Sequence, residues 1–160
     1  MAQIDINNCF TYAYSAGTFA DFSLAVTSAA LSTNYIDLKT AGIKIAGGSK
    51  PPWLIARVTT DFATCVSMGI KLITDSVIPV LDAATAKDVM IFRFLLASLK
   101  TTVNGGLIIN NPLPHFDYQR YLTIEFEPYT NATAGKILIF LSDGPEPAVT
   151  DIGQTVEAGT

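Results

Sequence analysis

The stretch HFDYQRYLTIEFEPY, residues 115–129, brings together His115, the chain's one histidine, with Asp117, Arg120, Glu125 and Glu127. Histidine beside carboxylates is the raw material of general acid–base and nucleophilic catalysis. Such chemistry also needs a nucleophile, and no GxSxG elbow occurs anywhere in the chain. Zinc needs three or four His, Cys or acidic ligands, and here one histidine and two distant cysteines, Cys9 and Cys65, are offered. No DxDxDG loop is present to cage calcium. Glu125 and Glu127 alternate onto one strand face, as a glycosidase pair would, but Tyr121 and Thr123 share that face and suit a solvated strand better. The paired glycines at 47–48 and 105–106 lack the spacing that cradles phosphate and read as turns. The expectation is therefore no catalytic residue, no cofactor site and no metal site. The remaining enzyme reading is a small hydrolase using Asp117 or Glu125.

The elements that carry these residues are strands. In RYLTIEFE, Leu122, Ile124 and Phe126 face one way and Tyr121, Thr123, Glu125 and Glu127 the other, the period of a half-buried antiparallel strand. KILIFLS (136–142) reads as a buried strand, and the expected core is Leu122, Ile124, Phe126, Leu138 and Phe140. WLIARVTT (53–60) sets Leu54, Ala56 and Val58 against Trp53, Ile55 and Arg57, and VSMGIKLIT (66–74) sets Met68, Ile70 and Leu72 against Gly69 and Lys71. FSLAVTSAAL (22–31) and NYIDL (34–38) also suit strands. Within 82–100 the sequence suggests a strand over about 89–95 and a short helical turn over 82–87. AGGSKPP, NGG, NPLP and PYTNATAG punctuate these runs. About eight short strands without a βαβ rhythm predict an all-β protein: a β-sandwich, jelly-roll-like, in one domain over 21–142.

Two ends fall outside the pattern. Residues 1–20 read as an extended N-terminal arm with Phe10, Tyr12 and Tyr14 on one edge, free to pair with another subunit. Residues 143–160 form an acidic Pro-, Gly- and Thr-rich tail that carries Asp143, Glu146, Asp151 and Glu157 and no base. The net charge of −4 thus resides in the tail, over a neutral body, which disfavours nucleic acid as a partner. Charged residues are only 15% of the chain, few for a surface that must stay solvated. That composition suits permanent contacts, or a sandwich surfaced with Thr, Ser and Asn. No secretory leader or membrane span is expected, so the cysteines should be reduced and the Asn131 sequon unused.

Three stretches together resemble a known family. STNYIDL (32–38), LLASLKTTVNGGLIINNPLP (95–114), and RYLTIEF (120–126) with TAGKILIFL (133–141) are similar to successive strands of the small capsid cement, or decoration, proteins of short-tailed bacteriophages. The likeness spans about 24–142; the long arm, the extra residues around 82–95, KTTVN and the tail depart from it. It implies a structural virion protein, made in the host cytoplasm. Such a protein binds the outer surface of an icosahedral shell and clamps capsomers against packaged DNA. Its partners would be the major capsid protein and other copies of itself, a homodimer being the commonest closed arrangement. The expected contacts are Phe10, Tyr12, Tyr14, Asp143, Glu146, Asp151 and Glu157. The alternative is a carbohydrate- or receptor-binding sandwich on the virion surface, with Trp53, Tyr118, Tyr121 and Tyr129 as a sugar platform.

Overall fold

A computed structural model of the chain describes residues 8–15, 18–39 and 51–146. The strands are β1 (Ala13–Ser15), β2 (Thr18–Asp21), β3 (Leu24–Ala25), β4 (Ala30–Leu31), β5 (Ile36–Asp37), β6 (Trp53–Ala63), β7 (Ser67–Asp75), β8 (Lys87–Leu95), β9 (Leu107–Pro112), β10 (Tyr121–Tyr129) and β11 (Ala134–Ser142). β1 and β2 form a small antiparallel ladder of their own. The rest make two antiparallel sheets. One has the order β3-β11-β6-β9, and the other β4-β10-β7-β8 with β5 also on β10.

The pairings are nested. β7 pairs with β8, β6 with β9, β4 and β5 with β10, and β3 with β11. This is one long antiparallel ribbon, doubled back between β7 and β8. Rolling it up creates two further pairings, β10 with β7 and β11 with β6, and gives a jelly roll. The all-β sandwich expected from the sequence is the fold observed.

Between the sheets lie Leu122, Ile124 and Phe126 of β10, Met68, Ile70 and Leu72 of β7, Leu54, Ala56 and Val58 of β6, and Ile137 and Ile139 of β11. The β10 phase is as expected; that of β11 is the reverse. Phe140 and the half-buried Leu138 face outward, into a second cluster with Ile55, Leu107, Cys9 and Tyr12. A strand apolar on both faces gives no phase by periodicity, and this one is covered on both sides.

Three further expectations are corrected. Within 82–87, residues 82–86 make a turn, with the Ala86 amide donating to the Ala83 carbonyl, Lys87 opens β8, and no helix forms. The runs 22–31 and 34–38 reduce to three two-residue strands. Side chains replace the missing ladder bonds: the Ser32 hydroxyl donates to the Asn34 carbonyl, meets Thr123 Oγ1 at 2.9 Å and accepts the Ile124 amide. The N-terminal arm is not free over residues 9–12. Cys9 bridges to Phe140, the Phe10 amide donates to the Ile139 carbonyl, and Thr11 Oγ1 accepts the Ile139 amide. These residues continue along β11 beyond the point where β3 stops.

Turn glycine is demanded at one place in NGG. Gly106 has φ +81°, and a Cβ there would lie 2.3 Å from the Val58 carbonyl oxygen.

Phe10 is fully buried in the inter-sheet core. Phe10→Ala should therefore destabilise the isolated protein by about 3–5 kcal/mol. Chemical denaturation checks this; an unchanged midpoint would return the segment to the role of a detachable arm.

Candidate interaction surface

His115, Asp117 and Arg120 lie apart from Glu125 and Glu127, which meet on one face of β10. His115 and Asp117 are exposed in the loop before β10. Arg120, also exposed, forms a two-point ion pair with Asp37, 3.0 Å at each contact, and lies 5.0 Å from the Tyr121 ring. That pair holds the Asp37 carboxyl well below its ordinary range. Glu125 is buried on the outer face of the β10 sheet, where strand register sets it opposite Lys71.

Lys71 is the residue the sequence reading did not connect. Its ammonium bonds the Glu127 carboxylate and lies 3.5 Å from Glu125, so one cation serves two acids. Burial, then the hydrogen bond that its protonated form donates to Glu127, raises the Glu125 pKa, whereas the bond from Lys71 lowers that of Glu127. Glycosidase carboxyls flank a gap of at least ~5 Å that admits the sugar. Here the two carboxyls bond each other directly and share Lys71, so no such gap separates them. The arrangement is a cross-strand ion pair that lets a carboxylate sit under cover.

The aromatic platform is dispersed. Tyr118 is fully buried, its hydroxyl donating to the Pro114 carbonyl at 2.7 Å, and burial pushes its pKa up to about 12. Tyr121 is buried against Tyr35. Tyr129 is exposed at the far end of the same strand, about 27 Å away at ~3.4 Å per residue. Trp53 belongs to the other sheet, beside the second cluster.

The expected partner contacts divide. Phe10 and Tyr12 are corrected: both are buried within their own chain, the first between the sheets and the second on the outer cluster. Glu146 is corrected as well. It is buried, lies 3.6 Å from Arg57, and exchanges two hydrogen bonds with the Asn110 side chain, clamping the start of the tail along β9. Asp143 is exposed. The Tyr14 side chain, Asp151 and Glu157 lie outside the described residues.

Exposed apolar side chains gather elsewhere, on the β7–β8 hairpin. Its connecting loop displays Val77, Ile78, Val80 and Leu81, and β8 displays Ile91 and Leu95 at 62% and 65% exposure. Among the described residues the sheet ends at β8, a nine-residue edge strand without proline. Bare edges of that length are templates for pairing. Among the described residues, the corresponding edge of the other sheet, β9, has Glu146 across it.

Lys71→Met should destabilise the fold at neutral pH by about 1–3 kcal/mol, the cost of leaving partly buried carboxylates unpaired. Protonating Glu125 and Glu127 removes their repulsion, so the loss relative to wild type should shrink as pH falls through the carboxylate range. Melting curves of both proteins across pH check this; a loss that does not vary with pH would mean that Lys71 acts through its packing alone.

Two comparisons with known proteins bear on this chain. No curated protein matches it. The model of the family Bbp16 matches residues 19–141. The matched segment takes in the nested strands from β3 to the penultimate residue of β11 and leaves out residues 9–12, the part that caps the outer cluster. Because the match covers well over half of the 160 residues, the chain belongs to the Bbp16 family.

Proposed function

We propose that the protein is a capsid cement protein that binds the outside of an icosahedral bacteriophage shell and clamps neighbouring capsomers. The observation that carries this reading is a coincidence of extent. The segment that matches the phage-related Bbp16 family, 19–141, is nearly the one whose motifs resemble cement proteins, 24–142. The chemistry-bearing residues fit it: Glu125, Glu127 and Lys71 hold one another within the sheet. The partners under this reading are the major capsid protein and a second copy of the chain, on the virion exterior.

The energetics would be multivalent. A subunit that touches two capsomers binds the second at a high effective concentration, so modest single contacts add up to firm retention. The low charge content leaves surface that is inexpensive to desolvate, and the acidic C-terminal segment offers carboxylates to basic groups on the shell.

Purified protein should co-sediment with shells of the major capsid protein that lack it and should raise the temperature at which they fall apart. A chain shortened after Glu146 keeps the Arg57 and Asn110 contacts, so it should melt as the full chain does. It should nevertheless be retained less well, with the gap widest at low salt, where charge contacts are least screened. Full-length protein that stays in the supernatant and leaves shell melting unchanged would overturn the proposal.

A further inference from the structure

We propose that β8 is a self-pairing edge: two copies join β8 to β8 antiparallel about a two-fold axis through Ile91, making one continuous sheet, with Arg93 of each copy facing Asp88 of the other. The contact deepens the self-association in the proposed function and rests on that reading for its purpose, but it can be tested without any shell.

The register carries the argument. Residues directly opposed on antiparallel strands share a sheet face. Ser67, Gly69, Lys71 and Ile73 lie on the outer face of β7 and oppose Leu95, Arg93, Ile91 and Asp88 of β8. The ladder is shifted between Leu72 and Ile73, and this bulge puts Asp88 rather than Val89 in the outer row. The row is thus Leu95, Arg93, Ile91 and Asp88, all four exposed.

A two-fold axis normal to the sheet reverses this row on itself. Centred at Ile91, it sets Ile91 against Ile91 and Arg93 against Asp88, twice by symmetry. Centred at Arg93 or at Asp88, it sets like charges face to face, which is destabilising. Centred between rows, at Phe92, it sets Arg93 against Ile91 and leaves both charges facing apolar side chains. Only the Ile91 centre matches charge with charge and apolar with apolar. It also carries Leu95 of one copy to the foot of the other's 76–86 loop, where Val77, Ile78, Val80 and Leu81 are exposed. On the inner face, the half-buried Phe92 and Phe94, stacked 6.2 Å apart, would gain cover. The edge strand has no proline, and its inner row is uncharged from Met90 to Phe94, with Lys87 only at its end, opposite Thr74.

Two sets of variants test the register on purified full-length protein. Ile91→Cys places a thiol at the axis, and the native Cys9 and Cys65 are buried. Mild oxidation should give a covalent dimer of this variant, and not of Val103→Cys, an exposed control on the loop before β9. Arg93→Asp should weaken self-association in sedimentation by about tenfold or more, through like charges brought together. Asp88→Arg combined with Arg93→Asp should restore it, with melting curves confirming that each variant is folded. Wild-type protein that stays monomeric at every concentration would overturn the proposal. So would oxidised Ile91→Cys that remains monomeric, or Arg93→Asp that associates as wild type does. A dimer that forms but does not bind shells would leave this contact standing and remove the cement reading instead.

Discussion

Among the described residues, the last two strands occupy the middle of both sheets. β10 lies between β4 with β5 and β7; β11 lies between β3 and β6. Every other feature depends on that insertion. β3, β4 and β5 are only two residues long and pair with β10 and β11 rather than with one another. They exist as the outer borders of strands made a hundred residues later. Such pairing closes long loops before any contact offsets the lost entropy, which makes the fold slow to form and cooperative once formed.

Insertion also explains the polar chemistry inside. A central strand has neighbours on both sides and cover on its faces, so its polar side chains must find partners in the chain. Glu125 takes Lys71. Thr123 takes Ser32. Thr74, opposite on β7, donates to the Tyr121 carbonyl and accepts the Gln119 amide. Among the described residues, no buried side-chain nitrogen or oxygen lacks a hydrogen-bond partner. Glu125 and Glu127, which resemble a catalytic pair in the sequence, are thus held by Lys71 within the sheet, whereas Asp117 is exposed in a loop.

What the sequence made legible follows from phase. Leu122, Ile124 and Phe126 alternate cleanly with polar residues, and their burial was readable. KILIFLS is apolar on both faces, so its phase was not, and Leu138 and Phe140 were assigned to the wrong side. The same strand held a signal for the N-terminal segment. With Phe140 and Ile55 buried on the outer face, that sheet needs a cover, and Cys9 and Tyr12 provide it. Lys71 was visible as a strand residue but not as the partner of Glu125, because register between strands fifty residues apart is not written locally. The runs 22–31 and 34–38 form less strand than their pattern suggests, and Ser32 and Asn34 bond the backbone through their side chains instead. The outer row of β8 became readable only once the bulge at Leu72 fixed which of Asp88 and Val89 faces outward.

A jelly roll with satisfied interior polar groups, an exposed apolar hairpin and an acidic C-terminal segment has its free chemistry on the outside. The central claim is that this outside meets a capsid. The most direct measurement is a difference map, by cryo-electron microscopy, between shells of the major capsid protein prepared with and without the purified chain. The account predicts added density on the outer surface, bridging capsomer boundaries and fitted by the two-sheet sandwich. Shells identical in the two preparations, or density confined to the interior, would contradict it.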